Sequence, residues 1–327
     1  MKATWQGFTS ILADDIEQYL RHKRSVKRKF RTEEGALRLL DRYLVNRQVS
    51  DLDAIAPALI EDFLASRPRR RPRSYNHLLG VTRCFFAWMI AQERLHHSPV
   101  RVRPRRTTAH QQPFLFDQVQ AKRLLELAAG LPDRAKAPLR GPTYHLMFAL
   151  MYALGLRVGE VTRLCRKDVD LERQLLVIRK TKFAKDRLVP FGPRVGHRIA
   201  EYMASKETEF GVLQPDDPVF SFYRGRPVNP GTVSQTFHRL VTQHLLSAPA
   251  GVARPWLHCL RHSFAVGTLL RWYRSGIDPG QRLIHLSTFL GHVDPASTAW
   301  YLTVTPELLD TANERFERFA ALPDDLV

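Results

Sequence analysis

Apolar residues recur at three- and four-residue spacing through the first hundred residues of the chain, and this repeat ends at a proline. Four segments carry it: FTSILADDIEQYLRH, TEEGALRLLDRYLVNR, APALIEDFLAS and SYNHLLGVTRCFFAWMIAQE. Such spacing places the apolar side chains on one face of an α-helix, and four helices of this kind can bury those faces against one another. The repeat therefore predicts a helical bundle domain over residues 1–98.

A proline-bounded segment, PVRVRPRRTTAHQQP, follows at residues 99–113. It is rich in arginine and poor in apolar residues, which predicts an extended basic linker. Residues 114–327 combine helical segments with QLLVIRKTKFAKDRLVPFG, whose two apolar runs flank a basic turn and predict a β-hairpin. At 327 residues the chain exceeds the size at which one core usually divides. We expect a mainly α protein of two domains, with a small β-sheet in the second.

The charge balance favours a polyanionic partner. The chain has 50 Lys and Arg against 32 Asp and Glu, a net charge of +18, and an isoelectric point near 10.3. Nucleic acid and an anionic membrane surface both fit that excess. The sequence has no run of about 18 apolar residues and no apolar signal segment at its N-terminus. DNA is therefore favoured over a membrane, and a cytoplasmic, nucleoid-associated protein is expected.

Three basic runs are candidate DNA contacts: RHKRSVKRKFR, RPRRRPR and the linker. A single run of this kind is also typical of a solvated surface, but two runs within one small helical domain favour DNA contact. The predicted contact residues are Arg24, Lys27, Arg28, Lys29, Arg69, Arg70, Arg71, Arg73, Arg103, Arg105 and Arg106. The three cysteines, Cys84, Cys165 and Cys259, are scattered and odd in number, which is typical of reduced core thiols.

The stretch HCLRHSFA places His258 and His262 one helical turn apart, a spacing found in zinc sites. Arg261 argues against a metal because a permanent cation on the same helical face repels one. Cys259 also stands where the hydrolytic zinc motif has a glutamate. An anion is therefore the expected ligand, and no metal site is predicted.

Five stretches share this kind of chemistry: ALGLRVGEVTRL, the lysine-rich hairpin turn, HCLRH, FLGHVD and STAWYLTVTP. In chain order they supply Arg157, Glu160, Lys182, His258, Arg261, His292 and Tyr301. In order, spacing and local context the chain resembles the tyrosine recombinases, also called the phage integrase family, over nearly its whole length. The resemblance implies a helical core-binding domain followed by a catalytic domain.

The residue types suit attack on a phosphodiester, whose transition state concentrates charge on the non-bridging oxygens. Arg157 and Arg261 can each hold those oxygens with paired charge-assisted hydrogen bonds. His292 can add a donor, and His258 can either donate or accept the proton of the nucleophile. Glu160 is predicted to support Arg157 rather than to carry a proton.

The resemblance assigns the two remaining roles. Tyr301 is the expected nucleophile, since a phenol with a pKa near 10 attacks and leaves more readily than an aliphatic alcohol when positive charge surrounds it. Lys182 is expected to protonate the departing 5′-oxygen, with Lys180 and Lys185 as neighbouring alternatives. His262 receives at most a supporting role. No metal, ATP or other cofactor is expected, because protein cations fill the place of a metal.

The expected reaction cuts one strand to leave a 3′-phosphotyrosyl link and a free 5′-hydroxyl, which a 5′-hydroxyl of another duplex can rejoin. The resemblance implies a site-specific recombinase that integrates, excises or resolves a mobile element or replicon. Its implied partners are double-stranded recombination sites and further copies of itself in a tetramer on paired sites; partner recombinases or accessory factors stay open. Two rival functions remain: strand relaxation by a topoisomerase IB-like enzyme, and DNA binding without catalysis.

The C-terminal segment TPELLDTANERFERFAALPDDLV carries a last helical repeat. Leu309, Ala312, Phe316 and Phe319 recur at three- and four-residue spacing and form one apolar stripe. In the resembled family the segment after the nucleophile docks on a neighbouring protomer. We therefore expect an exchange helix over residues 306–320, with packing on its own domain as the alternative.

Overall fold

The computed structural model describes residues 7–26, 30–106, 111–179, 186–223, 225–244 and 248–303 of the chain. The chain forms two compact units, Met1–His110 and Gln111–Val327. Both units are built mainly from α-helices, and the strands of the described part all belong to the second unit. The predicted fold class, mainly α with a small β-sheet, is confirmed.

Four helices form the first unit: α1 (Ala13–Ser25), α2 (Arg31–Asn46), α3 (Pro57–Ala65) and α4 (Pro72–Ala91). Helix α4 packs against the other three, and its Phe85, Phe86 and Met89 are fully buried in their shared core. Proline occupies the first position of α3 and of α4, where its missing N–H costs no helical hydrogen bond. The apolar repeat of the sequence is thus the buried face of this bundle.

The segment after α4 has no regular secondary structure and is held on that helix as far as residue 106. Asn76 donates to the carbonyl of Arg105 and accepts from its N–H, both at 2.8 Å. Nη2 of Arg83 donates to the carbonyl of Val102 at 2.7 Å, and Val100 is buried in the bundle core. The first part of the basic segment is therefore fixed to the helical unit; residues 107–110 lie outside the described part.

The second unit contains eight helices in the described part: α5 (Gln118–Ala129), α6 (Arg140–Ala153), α7 (Val158–Val161), α8 (Pro193–Phe210), α9 (Pro230–Gln243), α10 (Cys259–Arg274), α11 (Pro279–Leu290) and α12 (Ala296–Ala299). Helix α6 is the apolar segment TYHLMFALMYA and packs against α5, α8 and α10. Its Met147, Phe148 and Met151 are fully buried. An apolar helix surrounded by others in this way forms the centre of the domain core.

The predicted hairpin is part of a three-stranded antiparallel sheet. Its strands are β1 (Val169–Asp170), β2 (Leu175–Ile178) and β3 (Arg187–Pro190), in the order β1-β2-β3. Leu176 pairs with Val189, and both are fully buried. A second, two-stranded sheet joins β4 (Ser221–Tyr223) and β5 (Arg226–Pro227). The turn between β2 and β3, residues 180–185, lies outside the described part.

Three further expectations concern features away from the site. Within the described ranges no helix is long and apolar enough to cross a membrane. Cys259 is buried and Cys165 partly so, but Cys84 is exposed, so the prediction of three core thiols is wrong for Cys84. Cys84 lies on the solvent side of α4, next to the buried Phe85. The predicted exchange helix, residues 306–320, lies outside the described residues.

Candidate active site

Arg261 lies in the first turn of α10 and is fully buried. Its Nη1 donates to the carbonyl of Gly155 at 2.6 Å, and its Nη2 donates to the carbonyl of Leu290 at 2.7 Å. Its Nε is buried and has no hydrogen-bond partner among the described residues. A buried donor without a partner costs free energy unless a ligand supplies the acceptor. The two carbonyls fix the guanidinium plane, and the Nε edge is left for such an acceptor.

Arg157 is held by the same part of the backbone. Its Nη1 lies 3.3 Å from the carbonyl of Leu290 and its Nη2 lies 3.1 Å from the carbonyl of Gly291. The Leu290 carbonyl therefore accepts from both arginines. It belongs to the C-terminal end of α11, where the last carbonyls have no partner within the helix and carry the negative end of the helix dipole. One helix end thus positions both guanidinium groups.

Two glycines with left-handed backbone shape these turns. Gly155 has φ 61° just after α6, and Gly291 has φ 67° at the end of α11. A Cβ on Gly155 would lie 2.6 Å from the ring of Phe264, and a Cβ on Gly291 would lie 2.9 Å from Nη1 of Arg187. An alanine at either position would strain the backbone and force the neighbouring side chain to move. Glycine at both positions lets the carbonyls reach the arginines.

Glu160 is buried and accepts four hydrogen bonds. Two come from the N–H and Nη1 of Arg157, both at 2.9 Å, and two come from Nη1 and Nη2 of Arg187, both at 2.9 Å. Burial alone would raise the pKa of this carboxyl, but the hydrogen bonds and charge of Arg187, followed by those of Arg157, lower the pKa to about 2. Glu160 is therefore ionised at neutral pH and contacts Arg157.

Arg157, Glu160 and Arg261 form a cluster of charged side chains with Arg187, the first residue of β3. Arg187 is not among the residues predicted from the sequence. Its Nε also donates to the carbonyl of Phe289 at 2.9 Å, and its side chain is only 10% exposed. The sequence signal that could have identified Arg187 is the alternation of side chains along a strand, which places residues 187 and 189 on one face of the sheet. Since Val189 is fully buried, a basic residue two positions earlier indicates an internal ion pair.

Tyr301 is buried on the 3-10 turn Trp300–Thr303, and its hydroxyl lies 2.8 Å from Nδ1 of His262. His258 precedes His262 by one turn, and the two rings meet edge to face with centroids 4.7 Å apart. His292 faces Tyr301 with nearly parallel rings, inclined by 16° with centroids 6.3 Å apart, and its Nδ1 lies 2.6 Å from Oγ1 of Thr298. His262 and His292 thus face the phenol, and His258 contacts the ring of His262.

Burial is the first cause of the shifted pKa values in this group; the second is Arg261 for His262 and His292, and His262 followed by Arg261 for His258. The pKa of His258 is lowered to about 3, and the pKa values of His262 and His292 are lowered to about 4. Burial raises the pKa of Tyr301, against the opposing charges of Arg261 and Arg157. At neutral pH the three rings are uncharged and the phenol keeps its proton.

The charges within the cluster do not balance. Among the described residues of the cluster, Arg157 and Arg187 form ion pairs with Glu160 and Arg261 lies near it, so three guanidinium groups face one carboxylate and two positive charges remain. Burial, followed by repulsion from Arg157, lowers the pKa of Arg261 to about 9. Bringing like charges together in a buried site is unfavourable without a counterion. The arrangement therefore favours an anionic ligand.

The structure brings together six of the seven predicted site residues; they are Arg157, Glu160, His258, Arg261, His292 and Tyr301. Lys182 and its alternatives, Lys180 and Lys185, lie outside the described part. His262, for which the sequence predicts at most support, contacts the phenol directly. Within the described ranges no group of three or more His, Cys, Asp or Glu side chains has a geometry that could hold a metal ion.

The predicted DNA contacts differ in their surroundings. Arg24 pairs with Glu34, while Arg105 lies over the ring of Tyr75 at 3.8 Å and donates to the carbonyl of Arg69 at 3.0 Å. The other described ones are exposed: Arg70, Arg71, Arg73, Arg103 and Arg106. Lys27, Arg28 and Lys29 lie outside the described residues.

Comparison with known proteins gives the family. The sequence model of the phage integrase family matches residues 115–307, more than half of the chain. The chain belongs to the phage integrase family. The protein y4rB of Sinorhizobium fredii, named as an integrase/recombinase, is 32% identical over 94% of this chain and 98% of its own length. The tyrosine recombinase XerD of Ralstonia nicotianae is 30% identical over 80% of this chain and 76% of its own length.

Solved structures of the family share the fold. The Tn1549 transposon integrase in complex with transposon right end DNA superposes with a TM-score of 0.65 at 18% identity, over 94% of this chain and 99% of that one. The lambda integrase dimer bound to a COC′ core site gives a TM-score of 0.61 at 18% identity, over 89% and 76%. As a tyrosine recombinase, the protein is an enzyme that cleaves and rejoins DNA strands.

Proposed function

We propose that the cluster binds the scissile phosphate of a DNA recombination site and that Tyr301 attacks it. The observation that carries this proposal is the excess of three guanidinium groups over the one carboxylate of the described cluster, next to a buried phenol. A phosphodiester supplies one negative charge and two non-bridging oxygens, which matches Arg157 and Arg261. Attack forms the bond from Oη of Tyr301 to phosphorus and releases a 5′-hydroxyl. The bond energy stays in the 3′-phosphotyrosyl ester, so rejoining needs no ATP.

Each arginine contributes a rigid donor set. Two of the five N–H groups of Arg261 donate to backbone carbonyls, which holds the guanidinium in place before substrate binds. Its Nε and remaining hydrogens bind the oxygens on which charge develops. Arg157 is fixed in the same way by the end of α11 and by Glu160. Donors fixed in advance stabilise a transition state without reorganisation at the moment of reaction.

His292 adds a further donor to the phosphate oxygens. Its Nδ1 is hydrogen-bonded to the fully buried hydroxyl of Thr298 at 2.6 Å. When Thr298 donates that hydrogen bond, the ring hydrogen is on Nε2 and is left for the phosphate. Thr298 thereby selects the tautomer that can donate.

Lys182 protonates the departing 5′-oxygen in this proposal. It lies five residues before Arg187, which anchors the start of β3 to Glu160 and to the Phe289 carbonyl. The support for Lys182 is therefore its position in sequence next to an anchored strand, together with the resemblance. Lys180 and Lys185 stay the alternatives.

We also propose the domain division and partners expected from the sequence. Residues 1–98 and the linker at 99–113 contact the DNA backbone through the basic residues named above, and residues 114–327 carry the catalytic domain. The lambda integrase dimer bound to a core site supports a multimer, and we propose a tetramer on paired sites. The exchange helix at residues 306–320 links its protomers. The reaction serves integration, excision or resolution.

The deciding experiment measures covalent adducts with DNA flanking the gene of this protein. Tyr301→Phe should abolish adducts on a nicked substrate that traps the cleaved state, while DNA affinity stays within a few-fold, because one hydroxyl adds little to binding dominated by phosphate contacts. Tyr223→Phe, at an exposed tyrosine, is the matched control and should form adducts normally. Adducts that persist in Tyr301→Phe would place the nucleophile elsewhere.

The rival functions give different products. Strand relaxation without exchange on paired sites would indicate a topoisomerase-like enzyme. Specific binding with no adduct from the parent protein would indicate a DNA-binding protein without activity. Recombinant products from two sites, dependent on Tyr301, support the proposal.

A further inference from the structure

The side chain of His262 lies within hydrogen-bond distance of the reacting phenol, on which Arg261 also acts through its charge and a side-chain hydrogen bond. Its Nδ1 is 2.8 Å from Oη of Tyr301, and the rings are 5.5 Å apart between centroids. The sequence offers His258 as a proton acceptor for the nucleophile. In the folded chain His258 contacts the ring of His262, and no hydrogen bond joins it to Tyr301 among the described residues. The second histidine of HCLRH, and not the first, therefore contacts the nucleophile.

The imidazole of His262 is held in one orientation. Trp256 packs against it with centroids 5.8 Å apart at 80°, and Trp300 packs against it with centroids 5.8 Å apart at 63°. The backbone N–H of His262 donates to the carbonyl of His258 within α10. Two indoles and a helix thus fix the ring against the phenol. Fixed geometry of this kind is what proton transfer in a transition state requires.

The direction of this hydrogen bond depends on the charge states of both groups and on the tautomer of the ring. Burial, followed by the charge of Arg261, lowers the pKa of His262 to about 4, so the ring is neutral at pH 7. Burial raises the pKa of Tyr301, so the phenol keeps its hydrogen. A neutral ring with its hydrogen on Nε2 accepts at Nδ1. The phenol is then the donor and His262 is the acceptor.

Resting on the function proposed above, we infer that His262 accepts the phenolic proton of Tyr301 as Oη attacks phosphorus. The Oη–phosphorus bond forms, the bond from phosphorus to O5′ breaks, and the proton moves from Oη to Nδ1. A second proton reaches O5′ from the general acid. In rejoining, the imidazolium returns its proton to Oη as the 5′-hydroxyl displaces the tyrosine. The bound phosphate favours the imidazolium because it places negative charge beside the ring.

The test separates attack by Tyr301 from departure of O5′. The substrate is a half-site duplex whose 3′-phosphate is esterified to p-nitrophenol at the cleavage position. Its leaving group needs no proton, so single-turnover release of p-nitrophenolate reports the attack alone. His262→Ala should slow this release by about 100-fold or more at pH 7, within the range for loss of a general base. Lys182→Ala should release it at nearly the parent rate.

The pH profile and an isosteric variant exclude a purely structural role. His262→Asn places an amide oxygen near the Nδ1 position, so it can accept the hydrogen bond but cannot take a proton. It should be as slow as His262→Ala, and both defects should shrink as rising pH ionises Tyr301. The titratable and charged groups around His262 are His258 and Arg261 on its own helix, with His292 and Tyr301. The parallel variants His258→Ala and His258→Asn test the competing base.

Three results overturn the inference. A parent-like rate for His262→Asn means that the ring only positions the phenol. A defect that is constant with pH means the same. A pH-dependent defect in the His258 variants, with none in those of His262, assigns the proton to His258. Failure of the proposed function is separate, because it appears as adducts formed by Tyr301→Phe.

Discussion

Replacing Glu160 by glutamine removes the only carboxylate from the charge cluster of the described site. In the folded protein its pKa is lowered from 4.5 to about 2. At about 1.4 kcal/mol per pH unit, this lowering corresponds to about 3 kcal/mol of stability at neutral pH. Loss of one partner from a buried ion pair costs about 3–5 kcal/mol, which agrees with that figure. We expect Glu160→Gln to lower the free energy of unfolding by about 3 kcal/mol at pH 7.

The pH dependence of this effect has a defined sign. A carboxyl whose pKa is lowered by folding stabilises the protein fully above its unfolded pKa of 4.5 and loses that contribution as pH falls toward its folded pKa of about 2. The difference between Glu160→Gln and the parent should therefore be constant from pH 7 to about pH 5. It should shrink progressively between pH 4.5 and pH 2.

The measurement is denaturant unfolding at a series of pH values, with a double-mutant cycle against Arg187→Gln at pH 7. Because Arg187 donates two of the four hydrogen bonds to Glu160, the coupling energy should reach about 2 kcal/mol or more. Glu126→Gln is the matched control, since its pairing with Lys122 is exposed and 3.9 Å long and should contribute less than about 0.5 kcal/mol. A Glu160→Gln effect below about 1 kcal/mol, or one that grows at low pH, refutes the reasoning.

Three other predictions test different parts of the protein. Gly291→Ala should destabilise the fold and slow adduct formation, because its Cβ meets the Arg187 guanidinium; Gly251→Ala has a similar φ in open space, so its melting temperature isolates the backbone cost. Sulfur in place of the bridging 5′-oxygen should rescue Lys182→Ala far better than Arg157→Ala, and equal rescue in a cleavage assay would deny Lys182 the role of general acid. Truncation after Thr305 should spare binding to one site and abolish assembly on paired sites in gel-shift titrations; full assembly of the truncated chain would contradict an exchange helix.

The helices and the residue types of the site were predictable from local patterns. Periodicity located the four-helix bundle and the hairpin, because an element that buries one face has apolar residues at regular spacing in its sequence. The contacts that hold the site were not predictable in this way. The carbonyl of Leu290 accepts from Arg157 and Arg261, which lie 133 and 29 residues away in sequence. Backbone acceptors of this kind have no residue signature, since any amino acid supplies a carbonyl.

The sequence also does not identify which of the two histidines of HCLRH, one helical turn apart, contacts the nucleophile. His258 and His262 are both half-buried beside cationic neighbours, and both pKa values are lowered, so neither composition nor charge separates them. What separates them is the path of the chain after α11, which returns through the Gly291 turn and brings the hydroxyl of Tyr301 to His262. A spacing of four residues places two rings on one helix face. The position of the nucleophile, fixed by contacts formed 39 residues later, decides which ring it meets.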